Sequence, residues 1–202
     1  MVRVATILLA GWLAGALSLQ PHAQAAEAKP GYRVGEQLPQ AERSNSDSAR
    51  YKEIRWDALM PTDWDPMRAM KGLDFSKLDD SDPRAMEALE RLRQEWSKAP
   101  INPAMQGARI RIPGFIVPLE GERGKLREFL LVPFFGACIH VPPPPANQVI
   151  HVVSVKPLPF QSMDTVWVQG TIETFHAPTA MGDAGYRMKA DAVSVFQSRP
   201  GR

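Results

Sequence analysis

From residue 108 onward, apolar and β-branched residues alternate with polar ones in five runs that are separated by Gly, Pro and charged turns. Each run predicts a β-strand. The runs are ARIRIPGFIVPL, LREFLLVPFF, NQVIHVVSV, TVWVQGTIE and GYRMKADAVSVF. Five short strands without helices between them are typical of a small barrel of the oligonucleotide-binding (OB) type. Pro113 and Gly114, inside the first run, predict a bulge or sharp bend in that strand.

Upstream of these runs, one stretch shows the spacing of an amphipathic helix. Met86, Leu89, Leu92 and Trp96 recur on one helical face, between a Ser-Asp-Pro start and a stop at Pro100. We expect this face to pack against the rest of the protein. The predicted fold class is therefore mostly β with one helical segment (α+β), a small five-stranded OB-like barrel preceded by a helix and a disordered leader.

The amino terminus predicts a signal peptide over residues 1–25. Arg3 precedes an apolar run of about 16 residues, which is shorter than the roughly 20 residues that a bilayer span needs. Ala23-Gln24-Ala25 supplies the small residues of a cleavage site. We expect cleavage after Ala25, a periplasmic location, and a soluble mature protein without direct membrane insertion. An uncleaved membrane anchor is the alternative.

The remaining chain divides into three predicted parts. Residues 26–50 are polar, lack periodicity and are dotted with Pro, Gly and Ser, so they predict a disordered leader. Residues 51–104 predict an irregular and helical segment that packs on the barrel, and residues 105–202 predict the barrel domain itself.

Charge excludes one class of function. The chain carries 24 Lys and Arg against 22 Asp and Glu, and loss of Arg3 with the signal peptide leaves a net charge near +1. Binding to phosphate backbones requires a concentrated basic surface. We therefore expect no nucleic-acid partner.

The cysteine and the three histidines of the mature chain all lie in the last third of the 202-residue sequence. Cys138 is the single cysteine and lies two residues before His140, and such positions of an extended segment face the same side. The prolines at 142–145 favour an extended backbone that holds this loop open. His151 in the next strand is a third candidate ligand, and His176 near the end of the fourth strand is a fourth. Zinc accepts this donor set, and reduced copper suits it too.

Cys138 has two other interpretations. It can be a small buried thiol, with the histidines bonded at strand ends. It can also be the nucleophile of a thiol-dependent enzyme, with His140 or His151 as base and with Asn147 and Gln148 as orienting amides. Other catalytic motifs, such as GxSxG, HExxH and CxxC, are absent from the sequence, so a non-catalytic role is favoured over an enzyme.

A non-catalytic interaction module is the remaining function class. In this hypothesis the stiff proline loop and the nearby aromatic residues Phe134, Phe135 and Trp167 form a docking surface for an envelope protein. Pro143 and Pro144 would then carry the contact.

The stretch GACIHVPPPP at Gly136 to Pro145, together with RIRIPGFIVPLE and VWVQGTI, resembles a family of exported bacterial proteins classed as a domain of unknown function. The resemblance covers residues 54–196. Members resemble periplasmic proteins or lipoproteins, some of them associated with zinc-responsive genes and with export transporters of the ABC class. The resemblance implies metal handling by Cys138 and His140. It predicts a periplasmic accessory protein for zinc or copper that is linked to a membrane transporter.

Overall fold

Five β-strands form a closed barrel in the computed structural model of this chain, and a short strand extends the sheet. The structure describes residues 31–38, 50–68, 83–120, 125–137 and 143–196. The strands are β1 (Lys52–Glu53), β2 (Arg109–Glu120), β3 (Leu126–Val132), β4 (Ile150–Leu158), β5 (Thr165–Thr179) and β6 (Gly182–Val195). Their order in the sheet is β1-β2-β3-β4-β6-β5, and pairing of β2 with β5 closes the barrel. The predicted five-stranded barrel is confirmed.

One α-helix, α1 (Pro83–Ser97), precedes the barrel in the described part of the chain. The mostly β fold class with one helical segment is thereby confirmed. The face of α1 that packs is only partly the expected one. Leu92 is buried as expected and Ala88 is buried with it, whereas Met86, which was expected to pack, is 64% exposed. Trp96 donates its indole N–H to the carbonyl oxygen of Pro66 at 2.8 Å. No helix among the described residues is long and apolar enough to cross a membrane.

β2 pairs with β1 and β5 along its first half and with β3 along its second half. Of the predicted bulge or sharp bend at Pro113 and Gly114, the bulge is wrong, since the ladder with β5 is regular there and the register shifts between Pro118 and Glu120. Gly114 has a different reason to be glycine. A Cβ at this position would lie 2.7 Å from Leu131 Cγ and 2.9 Å from the carbonyl oxygen of Val132, so its absence lets β3 approach β2.

Alternate side chains of the barrel strands fill the barrel interior. They include Ile110, Ile112, Ile116, Phe129, Leu131, Ile150, Val152, Val166, Val168, Ile172, Tyr186 and Met188. Burial of each large apolar side chain contributes about 1.5–3 kcal/mol. This interior cluster is the main core of the protein.

A second apolar cluster lies on the outer face of β2 and β3, and we call it the outer cluster. Phe115 and Val117 belong to it, whereas Ile116 between them points into the barrel, as expected for successive residues of a strand. The outer cluster also holds buried Leu130, Val132, Ala137, Val149, Met163 and Ala184, with partly buried Tyr32, Leu38, Leu119, Phe134, Phe135 and Met181. Residues 114–117 of β2 and residues 129–132 of β3 are thus buried on both faces, whereas Arg109 and Arg127 near the starts of these strands are exposed.

Residues 31–38 lie against the outer cluster, and we call them the strap. The strap differs from the expected disordered leader because Tyr32 and Leu38 pack into the outer cluster, and Gln37 forms a β-bridge with Phe134. The rest of the predicted leader up to residue 49, and the predicted signal peptide, lie outside the described residues.

The segment before β2 is fastened to the barrel by buried hydrogen bonds. It contains 3-10 helices at Trp56–Leu59 and Pro103–Met105. The hydroxyl of Tyr186 donates to the carbonyl oxygen of Leu59 at 2.6 Å and accepts from the backbone N–H of Asn102 at 2.6 Å. Burial raises the pKa of Tyr186, and the bond from Asn102 opposes this shift more weakly. One buried hydroxyl therefore joins two chain segments to the interior cluster.

Tyr186→Phe should lower the free energy of unfolding by about 1–3 kcal/mol, because it leaves a buried carbonyl oxygen and a buried N–H without their partner. Urea denaturation measures the loss. Tyr51→Phe is the matched control, since the Tyr51 hydroxyl bonds to the half-exposed side chains of Arg109 and Asp191, whose lost bonds water can replace. Its loss should stay below about 1 kcal/mol. Equal losses in the two variants would contradict this account.

Because the pKa of the Tyr186 hydroxyl is raised, we expect the protein to lose stability at alkaline pH. The raised pKa of Tyr186 means that the unfolded chain releases this proton near pH 10 while the folded chain keeps it. The Tyr186 hydroxyl contributes its full share of the free energy of unfolding below about pH 10, and this share is lost as the pH rises through the folded-state pKa of Tyr186. Above about pH 10, unfolding free energies should fall more steeply with pH for the wild type than for Tyr186→Phe; parallel pH profiles would refute the prediction.

Candidate functional site

The predicted ligands Cys138 and His140 belong to residues 138–142, which lie outside the described residues. The structure describes both flanks of this segment, up to Ala137 and from Pro143 onward. The described parts of the candidate site are these two flanks and the histidines His151 and His176.

Met163 binds the amino-terminal flank through a hydrogen bond from Gly136. The backbone N–H of Gly136, at φ 82°, donates to Met163 Sδ at 3.2 Å in a buried position. Ala137, next along the chain, is fully buried in the outer cluster. Met163 has φ 62°, which is uncommon for a residue other than glycine, and its own N–H donates to the carbonyl oxygen of Ile116 at 2.7 Å. No sequence signal pointed to Met163.

The carboxyl-terminal flank, from Pro143 onward, packs against the rest of the protein. Of the prolines at 143–145, the last two are buried, and they lead into a 3-10 helix, Ala146–Gln148. Asn147 donates its amide to the carbonyl oxygen of Pro100 at 2.8 Å, and Gln148 donates to that of Trp56 at 2.9 Å. The amide nitrogens hold the segment before β2, while the buried Oδ1 of Asn147 has no hydrogen-bond partner among the described residues. The orienting role of the two amides in the enzyme hypothesis stays a prediction.

His151 lies on β4 and forms a pair with Glu128 of β3. His151 Nε2 is 3.1 Å from Glu128 Oε2, and the two side chains are 14% and 43% exposed. His151 lies opposite Leu130 in the ladder, and Leu130 belongs to the outer cluster. The centroid of the His151 ring is 6.3 Å from the centroid of the Phe175 ring. The pair therefore lies beside the outer cluster, and sequence reasoning missed Glu128 because the contact depends on the register between two strands.

His176 is exposed on β5. The ladder between β5 and β6 shifts register between Thr174 and Ala177, which changes the alternation of side chains at this histidine. Among the described residues, no group of three His, Cys, Asp or Glu side chains is placed to hold a metal ion. The described part of the chain brings His151 to Glu128, and it shows no bond that joins His176 to them.

The aromatic residues of the predicted docking surface pack against the protein itself. Phe134 and Phe135 belong to the outer cluster. Trp167 is only 7% exposed, with the Arg111 guanidinium 4.1 Å above its ring and Phe196 at a centroid distance of 5.4 Å. Trp167 is thus buried, whereas Phe134 and Phe135 are only partly buried, and the docking surface stays a prediction.

The family described as "Protein of unknown function (DUF3299)" matches residues 56–195 of this chain. The chain belongs to the DUF3299 family. A DUF3299 family protein from Pseudomonas aeruginosa PAO1, known from a crystal structure, is 35% identical to it with a TM-score of 0.59, and the match covers 74% of this chain and 99% of that chain. No curated protein matches the chain. The predicted membership of a family of unknown function is confirmed.

Met163→Leu tests the support of the amino-terminal flank in this DUF3299 protein. Leucine keeps most of the side-chain volume but removes the acceptor of the Gly136 N–H. We expect a loss of about 1–2 kcal/mol in the free energy of unfolding and faster hydrogen exchange of the Gly136 amide. Met188→Leu, at a fully buried methionine of the interior cluster, is the control for the substitution itself. The same loss in both variants, with unchanged Gly136 exchange, would speak against the N–H to sulfur bond.

Proposed function

We propose that this DUF3299 protein is a periplasmic metal-binding accessory protein that binds Zn(II) or Cu(I) through Cys138, His140 and His151. The observation that carries the proposal is the bond between His151 and Glu128 beside the outer cluster. The proposed partner is an envelope protein, such as a component of an ABC-type transporter, and export depends on the predicted signal peptide.

The pairing with Glu128 suits a metal-binding histidine. Such histidines typically present one ring nitrogen to the metal and give the other to a carboxylate or carbonyl, which fixes the orientation of the ring. With His151 Nε2 at 3.1 Å from Glu128 Oε2, Nδ1 is the nitrogen that remains for a metal. Glu128 would then act on the metal through His151.

The location of His151 supports the same proposal. Val149, which has an extended backbone just before β4, precedes His151 by two residues and therefore lies on the same face. Leu130 lies opposite His151 in the ladder. Val149 and Leu130 both belong to the outer cluster. Ala137, the residue before Cys138, also belongs to this cluster. The chain therefore reaches Cys138 from the cluster that His151 borders.

The donor set suits transfer better than permanent storage. Three protein donors leave one position of a tetrahedral zinc ion for water or for a donor of the partner. The thiol of Cys138 must ionise to bind a metal, so binding should release a proton and weaken in acid. An accessory protein that passes metal to a transporter needs such an open coordination position for the donor of its partner.

Metal titration of the mature protein against a chromophoric chelator tests the proposal, with Zn(II) and Cu(I) titrated separately. Cys138→Ser and His140→Ala should weaken binding by more than about a hundredfold, because they remove direct ligands. Glu128→Gln should weaken it by about tenfold to a hundredfold, since it removes only the group that orients His151. Proton release should accompany binding in the wild type.

His176→Gln is the matched control, because His176 is exposed and has no described contact with His151. Its metal affinity should equal that of the wild type. Unchanged stoichiometry and affinity in both Cys138→Ser and His140→Ala would overturn the proposed function.

A further inference from the structure

The strap forms a small β-ladder with two residues that follow the end of β3. The backbone N–H of Gly35 donates to the carbonyl oxygen of Phe135 at 2.9 Å, and the N–H of Phe135 donates to the carbonyl oxygen of Glu36 at 2.9 Å. Gln37 continues this pairing as a bridge to Phe134. An extended peptide that adds to the edge of a sheet binds through backbone bonds of this kind.

One side chain near each end of the strap anchors it in the outer cluster. The ring of Tyr32 meets Phe115 edge-on at a centroid distance of 5.3 Å and stacks on Phe135 at 6.2 Å. Leu38 packs into the same cluster, whereas residues 33–37 between the two anchors are exposed. The strap is therefore bound by an aromatic side chain, an aliphatic side chain and the backbone between them.

The exposed middle of the strap is a turn. The N–H of Glu36 donates to the carbonyl oxygen of Arg33 at 2.9 Å, and the Glu36 carboxylate accepts from the N–H of Arg33 at 2.8 Å. Gly35 occupies the third position of this turn with φ 86°, a conformation that favours glycine. The described hydrogen bonds of Arg33 use its backbone, so the turn sets no requirement on the side chain at this position.

The surface under the strap is supported by the rest of the protein. We call it the strap surface, and it is formed by Phe115, Phe134 and Phe135. Phe115 is fully buried on β2 and contacts Phe135 at a centroid distance of 5.8 Å. Next to Phe135, the N–H of Gly136 donates to Met163 Sδ. These contacts do not involve the strap, so we expect the strap surface to persist when the strap leaves it.

We propose that the strap surface is a docking site for an extended segment of a partner protein, and that the strap is an intramolecular competitor for this site. The partner segment has the chemistry of the strap. It carries an aromatic side chain at the position of Tyr32, a large aliphatic one at the position of Leu38, and an extended backbone that pairs with Phe134 and Phe135. The seated strap is the observation that shows what fits, and the inference does not depend on metal binding.

The contacts of the strap suit an exchange of this kind. Tyr32 and Leu38 are only partly buried, and a segment with few buried contacts opens at a low cost in free energy. An incoming segment that pairs with Phe135 replaces the same backbone bonds. While the strap is docked, it lowers the apparent affinity for the partner by the fraction of molecules in which the surface is free. The strap therefore sets how much partner is needed for docking.

A synthetic peptide of residues 31–38, GYRVGEQL, is the probe for a partner of this chemistry. By calorimetry it should bind the Tyr32→Ala variant of the mature protein at least about tenfold more tightly than the wild type, because the variant frees the surface. Tyr51→Ala is the matched control, since Tyr51 is also a buried tyrosine but lies outside the outer cluster. Its affinity should equal that of the wild type. Equal affinity of Tyr32→Ala and the wild type, or no binding to either, would overturn the proposal.

Variants of the peptide test which side chains are recognised. Tyr32→Ala in the peptide should weaken its binding by at least about tenfold, because an aromatic anchor carries much of the affinity of such a contact. Arg33→Ala in the peptide is the control and should bind as the unchanged peptide does. If all three peptides bind equally well, the contact is not the one that the strap makes, and the proposal fails.

Hydrogen exchange of the wild type shows whether the peptide takes the place of the strap, and it depends on no variant of the protein. At saturating peptide, the Gly35 amide of the protein should exchange about tenfold faster, because its own strap is released. The Phe135 amide should stay protected, since the peptide accepts the same bond. The amide of Ile54, which donates to the carbonyl oxygen of Arg111 on β2, is the internal control. Unchanged exchange at Gly35 with peptide bound would place the peptide elsewhere and contradict the proposal.

Sedimentation of the wild type separates a partner protein from a second copy of this chain. We expect a monomer at the protein concentrations used for the peptide titrations. A dimer that forms with rising concentration and is lost in Tyr32→Ala would show that the occupant is the strap of a second copy, and it would overturn the assignment to a partner protein. These measurements use no metal, so their failure leaves the proposed function untouched.

Discussion

Burial of residues 114–117 of β2 and residues 129–132 of β3 on both faces is the constraint on which the rest of this protein depends. A closed barrel requires one apolar face per strand, the one that fills the interior. Here Ile112 and Ile116 meet that requirement, while Phe115 and Val117 add a second apolar face outside the barrel. Exposed apolar patches of this kind are normally covered in a stable protein. The strap and residues 134–137 supply much of the cover.

That cover is also where the candidate chemistry begins. Residues 138–142 connect two flanks that are both packed, one through Ala137 in the outer cluster and the other through buried prolines and the 3-10 helix at Ala146–Gln148. The proline run thus acts as a packed lead-in to β4, where His151 meets Glu128. Both ends of the segment that carries the predicted ligands Cys138 and His140 are therefore fixed by the packing of described residues.

The aromatic and amide side chains near this loop show how packing changes an interpretation. Trp167 supplies a surface for Arg111 and Phe196, and Asn147 and Gln148 satisfy backbone carbonyls of the segment before β2. In the sequence these residue types suit docking or catalysis equally well. Buried carbonyl oxygens need donors, and these amides meet that need here.

The sequence by itself determined the five barrel strands and the helix α1, because alternation and helical spacing depend on near neighbours along the chain. It also determined the family, through residues that match over 56–195. Only the tertiary structure decided that Gly114 makes room for Leu131, that Met163 accepts a bond from Gly136, that His151 pairs with Glu128, and that the strap docks. Each of these contacts joins residues far apart in the chain, and such contacts depend on strand pairing and barrel closure, which bring together residues that are not neighbours in the sequence.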